Sequence, residues 1–171
     1  MQFESHPWMK STFFLTALAL CTASLVGCGK QIDPSMIGTF RMGEKVQVGA
    51  LTYTILEAEW KTALVEGGGG PTPQNRYMLV RISVTNGGGT VAAIPSFQLQ
   101  GANRAIYTEL TQGLQDLPNW LGVLRSVSPA QTEQGYVVFD APLGAYKLAI
   151  SDGGEVGSEK FAYVDMPVQL E

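Results

Sequence analysis

Residues Tyr77–Thr85 read YMLVRISVT. Met78, Val80, Ile82 and Val84 alternate with Arg81, Ser83 and Thr85, the period of two that sends neighbouring side chains to opposite sides of a β-strand. Valine, isoleucine, threonine and tyrosine favour that pleated, half-buried setting. Asn86-Gly87-Gly88-Gly89 follows at once and ends the run, because these residue types tolerate a positive φ. The stretch predicts a strand whose apolar set, Met78, Val80, Ile82 and Val84, faces a core.

The same reading extends in both directions. Upstream, Lys45–Val48 (KVQV) alternates and Gly49-Ala50 turns the chain. Leu51–Leu56 (LTYTIL) then places Leu51, Tyr53 and Ile55 on one face, with strand character running on through Trp60 to Leu64. Tyr53 and Trp60 are assigned to the core. Glu66–Pro73 (EGGGGPTP) is a flexible connection. Downstream, Phe97–Gln100 and Ala105–Thr108 flank a Gly101-Ala102-Asn103 turn, and Val123–Val127 precedes Pro129. Thr132–Asp140 (TEQGYVVFD) runs into a turn at Ala141-Pro142-Leu143-Gly144. Tyr146–Ser151 (YKLAIS) follows, Asp152-Gly153-Gly154 turns, and Lys160–Val164 closes the sheet. Glu109–Gly122 (ELTQGLQDLPNWLG) is the least β-like segment and reads as a short helix or an ordered loop. About eight or nine short strands at this spacing, with no long helical period and no internal repeat, predict an all-β two-sheet sandwich.

Composition narrows the setting. The chain of 171 residues has room for one ordinary domain and an appendage. Its 45% hydrophobic content supports a core, while charged residues reach only 15% and glycines number 20. The net charge is −4 and no Lys/Arg cluster exists. Nucleic-acid binding, which needs a basic stripe to release counterions, is excluded.

At the N-terminus, Lys10 precedes the apolar run Phe13–Val26 (FFLTALALCTASLV). The run is too short for a membrane-spanning helix and has the charge, apolar and small-residue order of a secretory signal. It ends in Leu25-Val26-Gly27-Cys28, which resembles a bacterial lipobox: aliphatic residues, a small residue, then a thiol to accept lipid. The resemblance implies cleavage between Gly27 and Cys28, with Cys28 carrying a diacylglycerol thioether and an amide-linked acyl chain. Two or three chains anchor firmly where one does not. Cys21 falls in the removed segment, so the mature chain has no partner for a disulfide. Met9-Lys10 opens an economical signal, and translation is expected to begin there, because Met1–Trp8 places Glu4 where positive charge is wanted. Gly29 after the cysteine, in place of Asp, points to the outer membrane in an organism that has one. The expected organisation is a signal peptide over 1–27, a lipidated N-terminus and tether over 28–43, and a sandwich domain over 44–171.

Three stretches carry a family resemblance. Gly43-Glu44-Lys45-Val46 opens a hairpin, Tyr77–Asn86 gives a Y-x-x-V-x-I-x-V-x-N strand, and Pro129–Ile150 gives a P-x-x-x-x-x-G-x-V-x-F strand, a proline turn and an L-x-I strand. In this order they resemble the telokin-like, immunoprotective-extracellular family of immunoglobulin-like domains, over roughly residues 41–165. The resemblance implies a secreted or lipid-anchored immunoglobulin-like sandwich, a family of unknown function, and carries over no catalytic residue. The chain departs from that pattern in its Gly67–Gly70 connection and in Glu109–Gly122, where a private function would sit.

The search for chemistry is mostly exclusion. The sole histidine, His6, precedes the mature chain, and Cys28 is consumed by lipid. Imidazole-based triads, thiol catalysis and the usual zinc sites are thereby excluded. Glu57 and Glu59 share a strand face, and Asp152 and Glu155 share a turn; both pairs read as solvated acids rather than a glycosidase pair or a calcium site. The glycine runs lack the Gly-Lys-Ser/Thr ending of a phosphate loop. No catalytic residue, metal or cofactor is expected. Trp120, with Leu117, Leu121 and Pro118, lies in the irregular segment and is the candidate partner contact. These readings lead to a non-enzymatic, lipid-anchored binding or accessory module facing an extracytoplasmic envelope partner. The rival is a structural envelope lipoprotein without a specific ligand. An exposed Trp120 indole would favour the first and a buried one the second.

Overall fold

The computed structural model describes residues 35–64, 71–155 and 157–168. The signal segment, Gly27, Cys28 and the Gly67–Gly70 connection lie outside the described residues. The strands in chain order are β1 (Met36–Arg41), β2 (Lys45–Val48), β3 (Leu51–Lys61), β4 (Arg76–Asn86), β5 (Ala92–Ala93) and β6 (Gln98–Gly101). They continue with β7 (Ile106–Thr108), β8 (Ser126–Val127), β9 (Thr132–Ala141), β10 (Tyr146–Ser151) and β11 (Phe161–Met166). One sheet has the order β1-β11-β10-β6-β7, a second β2-β3-β4-β9, and β5 pairs β8 in a short ribbon. The domain is an all-β two-sheet sandwich, as the strand spacing predicts, and immunoglobulin-like, as the family resemblance implies.

Tyr77–Thr85 lies within β4, at the centre of the four-stranded sheet, antiparallel to β3 on one side and β9 on the other. Met78, Val80, Ile82 and Val84 are all buried and share one core with Leu99, Leu148, Ile150 and Val164 of the facing sheet and with Phe97 just before β6. Side chains of this size each contribute about 1.5–3 kcal/mol on burial, so this layer is the main apolar drive for the fold. Tyr53 is buried as expected and donates its hydroxyl to the Ser151 carbonyl at 2.7 Å. Trp60 is half-buried against the core edge, next to Tyr146.

One expectation is corrected, and two features are added that the sequence pattern does not give. The tether does not extend to Gly43, because Met36–Arg41 forms β1, pairing parallel with β11, and the sandwich begins there instead of at Glu44. Its half-buried and exposed alternation around Gly38 gives a weak sequence signal, and parallel pairing to the far end of the domain is not legible locally. The Gly43-Glu44 pair makes the crossing from β1 to the second sheet. Gly43 has φ +85° and donates its amide to Ile55, while a Glu44 carboxylate oxygen accepts from the Arg41 amide at 2.9 Å. Secondly, the two-residue β5 escaped notice; its pairing with β8 needs only Ala92–Val127 and Ala93–Ser126 contacts.

Thirdly, the second face of β4 is partly covered. Tyr77 and Leu79 are buried there with Val138 of β9 and Leu114. The segment between β7 and β8 folds over them.

Candidate functional site

That covering segment, 109–125, is an ordered loop pinned at both ends. It begins on the free edge of β9, where Glu109 bridges Phe139 and the Leu110 amide donates to the Val138 carbonyl at 2.7 Å. It returns to the same edge at Asn119–Leu121. Tyr136 donates its amide to the Asn119 carbonyl at 2.8 Å, and the Leu121 amide donates to the Tyr136 carbonyl at 3.0 Å. Between these contacts the chain turns through Leu117 N–H to Leu114 carbonyl and Trp120 N–H to Leu117 carbonyl bonds. Gly113, Asn119 and Gly122 take positive φ values of 74°, 57° and 79°, which residues without a branched Cβ tolerate.

The approach at Asn119–Leu121 depends on a glycine in the strand below. A Cβ at Gly135 would stand 2.6 Å from the Asn119 carbonyl oxygen and 3.1 Å from Leu121 Cδ1. The glycine is therefore required by space and not by its φ.

An ion pair closes the loop base. The Arg125 guanidinium holds the Glu109 carboxylate in two-pronged fashion, Nη2 to Oε1 at 2.7 Å and Nη1 to Oε2 at 3.1 Å. The side chains are only 5% and 7% exposed. Arg125 also donates to the Gly122 and Pro95 carbonyls, each at 2.8 Å, and lies 4.8 Å from the Phe97 ring centroid. Arg125 Nε has no hydrogen-bond partner among the described residues. A buried charge pair of this kind fixes geometry more than it adds stability, because desolvation offsets much of the Coulomb attraction. Burial also pushes the Tyr53 hydroxyl well above its ordinary value near 10, with the nearby Arg125 charge opposing the rise.

The three residues expected to meet a partner are brought together by this loop, but each is half-buried. Leu117 and Trp120 pack with Leu110, Leu64 and Tyr136 over the Tyr77–Leu79–Leu114–Val138 cluster, and Leu121 packs against the main core. Their first role is to seal the second face of the four-stranded sheet. What the loop exposes is further on: Leu124 is 101% exposed and Val123 47%. Sequence reasoning missed this pair, since nothing in "WLGVLR" distinguishes the leucine that packs from the one that projects. It missed the Glu109–Arg125 clamp as well, whose partners are 16 residues apart.

The acidic candidates have local roles. Glu59 pairs with Lys61 at 2.8 Å, and Glu57 lies opposite Arg81 on the adjacent strand. Asp152 Oδ1 accepts from the amides of Gly154 and Lys160, each at 3.0 Å, which closes its turn.

A family model described as "Domain of unknown function (DUF4352)" matches residues 40–161, and the chain belongs to that family. A comparison with curated proteins finds no match. Among solved structures, the yjhA protein of Bacillus subtilis is similar at TM-score 0.56 and 12% identity, covering 74% of this chain and 99% of that one. A candidate lipoprotein of the same organism, ycdA, is similar at TM-score 0.54 and 12% identity. That match covers 71% of this chain, which spans only 38% of the ycdA structure. MPT63, a secreted protein of Mycobacterium tuberculosis, is similar at TM-score 0.53 and 16% identity, covering 75% of this chain and 96% of that one. Family and fold agree with the expected β-sandwich family without an assigned biochemical function.

Proposed function

We propose that this member of the family is a non-enzymatic, lipid-anchored module of the bacterial envelope that holds an extracytoplasmic protein partner through the 109–125 loop. The observation that carries the reading is the presentation of Val123 and Leu124. A fully exposed leucine beside a half-exposed valine sits on a loop that the buried Glu109–Arg125 pair and three backbone hydrogen bonds to β9 hold in place. An apolar contact on a preorganised loop loses little conformational entropy on binding. Half-buried Trp120 extends the surface at its base. The anchor rests on Cys28 at the end of its signal-like run, and the company of a candidate lipoprotein and a secreted protein among the structural neighbours supports an extracytoplasmic place. Gly29 favours the outer membrane where there is one.

The test has two arms in a bacterial host carrying the full chain. Fatty-acid labelling should mark the wild type and leave Cys28→Ser unlabelled and released from membranes. A photo-crosslinker at position 124 should give one discrete adduct in native envelopes, competed by wild-type protein and not by a Leu124→Ser form. Absence of label removes the anchor. Absence of a competed adduct shifts the assignment to a structural envelope lipoprotein, a reading that the packing role of Trp120 favours.

A further inference from the structure

The start of β1 sets how far the sandwich can stand from the anchor proposed at Cys28. Ser35 already belongs to the domain, its carbonyl accepting from the Phe161 amide at 3.0 Å. It lies seven positions after Cys28, and seven residues span at most about 25 Å at full extension. The end of the sandwich at which the chain enters therefore stays within about 25 Å of any lipid that Cys28 carries. The 11 residues of β3 run about 35 Å along the domain, so the other end can stand that much farther out.

Contacts place Val123 and Leu124 at the near end. Met36, Phe161 and Ser151 lie side by side on β1, β11 and β10. The turn after Ser151 reaches Pro95, where a Cβ at Gly153 would stand 2.9 Å from the proline ring. The Pro95 carbonyl accepts from Arg125 Nη2, and Val123 and Leu124 immediately precede Arg125. Val91 shares this end, because the Thr90 carbonyl before it accepts from Asn86 Nδ2 where β4 stops. All three apolar side chains are exposed. The far end carries Leu143, half-exposed between β9 and β10.

Chemistry then selects the occupant. Lipid interfaces are met by exposed tryptophan and tyrosine and by lysine and arginine. Among the described residues no tryptophan or tyrosine is exposed, and the turn beside Pro95 sets Asp152, Glu155 and Glu159 against Lys160. Anionic head groups repel such an acidic surplus. An apolar pair with acidic neighbours instead complements a protein surface that has an apolar pocket and a basic rim. Two side chains make a small contact. A partner confined to the same membrane would meet it at the high effective concentration that a short link confers.

We propose that the partner of Val123 and Leu124 is a protein itself held in the membrane that carries the anchor, meeting the loop close to the lipid through an apolar pocket with a basic rim. This rests on the anchor and the partner reading above and adds where that partner resides.

The test uses the full lipidated chain in native envelopes, with a photo-crosslinker at position 124 and a protease cleavage sequence inserted after Lys30. After irradiation the link is cut, and alkaline carbonate strips proteins held to the membrane by contact alone. The free domain should move to the supernatant while the adduct stays with the membrane. Relative to that form, about thirty further Gly/Ser residues inserted at the same point should reduce the adduct roughly fivefold to tenfold. A crosslinker at position 143 should give no membrane-retained adduct. An adduct that leaves with the free domain overturns the proposal while keeping a partner. So does an adduct indifferent to the insertion, or one equally abundant from position 143. Capture of lipid alone removes the partner reading and this proposal with it.

Discussion

Removing Glu109 alone should cost far more than its position on a loop suggests. Exposed ion pairs contribute roughly 0–1 kcal/mol, but breaking a buried pair from one side costs about 3–5 kcal/mol because a charge is left without its counter-ion. In Glu109→Ala the Arg125 guanidinium keeps the Gly122 and Pro95 carbonyls and the Phe97 ring, so the lower figure applies, about 3 kcal/mol. In Arg125→Met the Glu109 carboxylate keeps, among the described residues, only the Phe97 amide at 3.4 Å, and about 4 kcal/mol is expected. The double replacement by methionine removes both desolvation penalties and should recover to within about 1–2 kcal/mol of wild type. Urea unfolding with a check that the slope is unchanged measures these values. The single variants should also speed hydrogen exchange at the Leu110, Leu121 and Tyr136 amides, which the clamp holds to the β9 edge. A single-variant cost below about 1 kcal/mol, or a double variant no better than the sum of the singles, would refute the reasoning.

Gly135→Ala should destabilise the domain by about 1–3 kcal/mol through overpacking against Asn119 and Leu121, whereas Gly89→Ala, with open space around it, should be neutral or slightly stabilising; thermal melts of the pair separate the two. Tyr53→Phe should cost about 1 kcal/mol at neutral pH by losing the bond to the Ser151 carbonyl. Because burial raises its folded pKa above the ordinary value near 10, Tyr53 stabilises fully below that pH and progressively less above it, so the alkaline fall in stability should be shallower in Tyr53→Phe. Trp120→Ala should lower stability by about 1–3 kcal/mol while Leu124→Ser leaves it within about 0.5 kcal/mol, and denaturant midpoints that ranked them the other way would reverse the roles given to these residues.

The elements that β-periodicity encodes were legible in the sequence. β2 and β10 fall at their expected bounds, and β4 extends its expected span by one residue at each end. Their alternation is written in adjacent residues. β1 and β5 were not legible, because a parallel partner 125 residues away or a two-residue bridge leaves no local pattern. On β4, Leu79 shows the same limit more sharply. Alternation places it on the outward face, as found, but only the arrival of Leu114 from a distant loop turns that face into a second core. The candidate site was half legible: irregularity located the segment, and the projecting residues depended on how Glu109 and Arg125 close it.

Sheet edges explain why that segment is long. β9 has ten residues and lies at the end of its sheet, so without cover it would present a long row of unpaired N–H and C=O groups, a template for another chain. The other sheet edges are short: β2 has four residues, β7 three, and β1 six with a register shift. The 109–125 loop takes the exposed row at two places, through Leu110 and through Asn119–Leu121, and the leucines and tryptophan between them seal the face beside it. Protection of the edge thus accounts for the half-buried residues, Trp120 included. It does not account for Val123 and Leu124, which stay exposed, belong to neither core cluster and lie between the two anchoring points Leu121 and Arg125. An apolar pair that the fold does not use is the part of this loop that the proposed partner would meet.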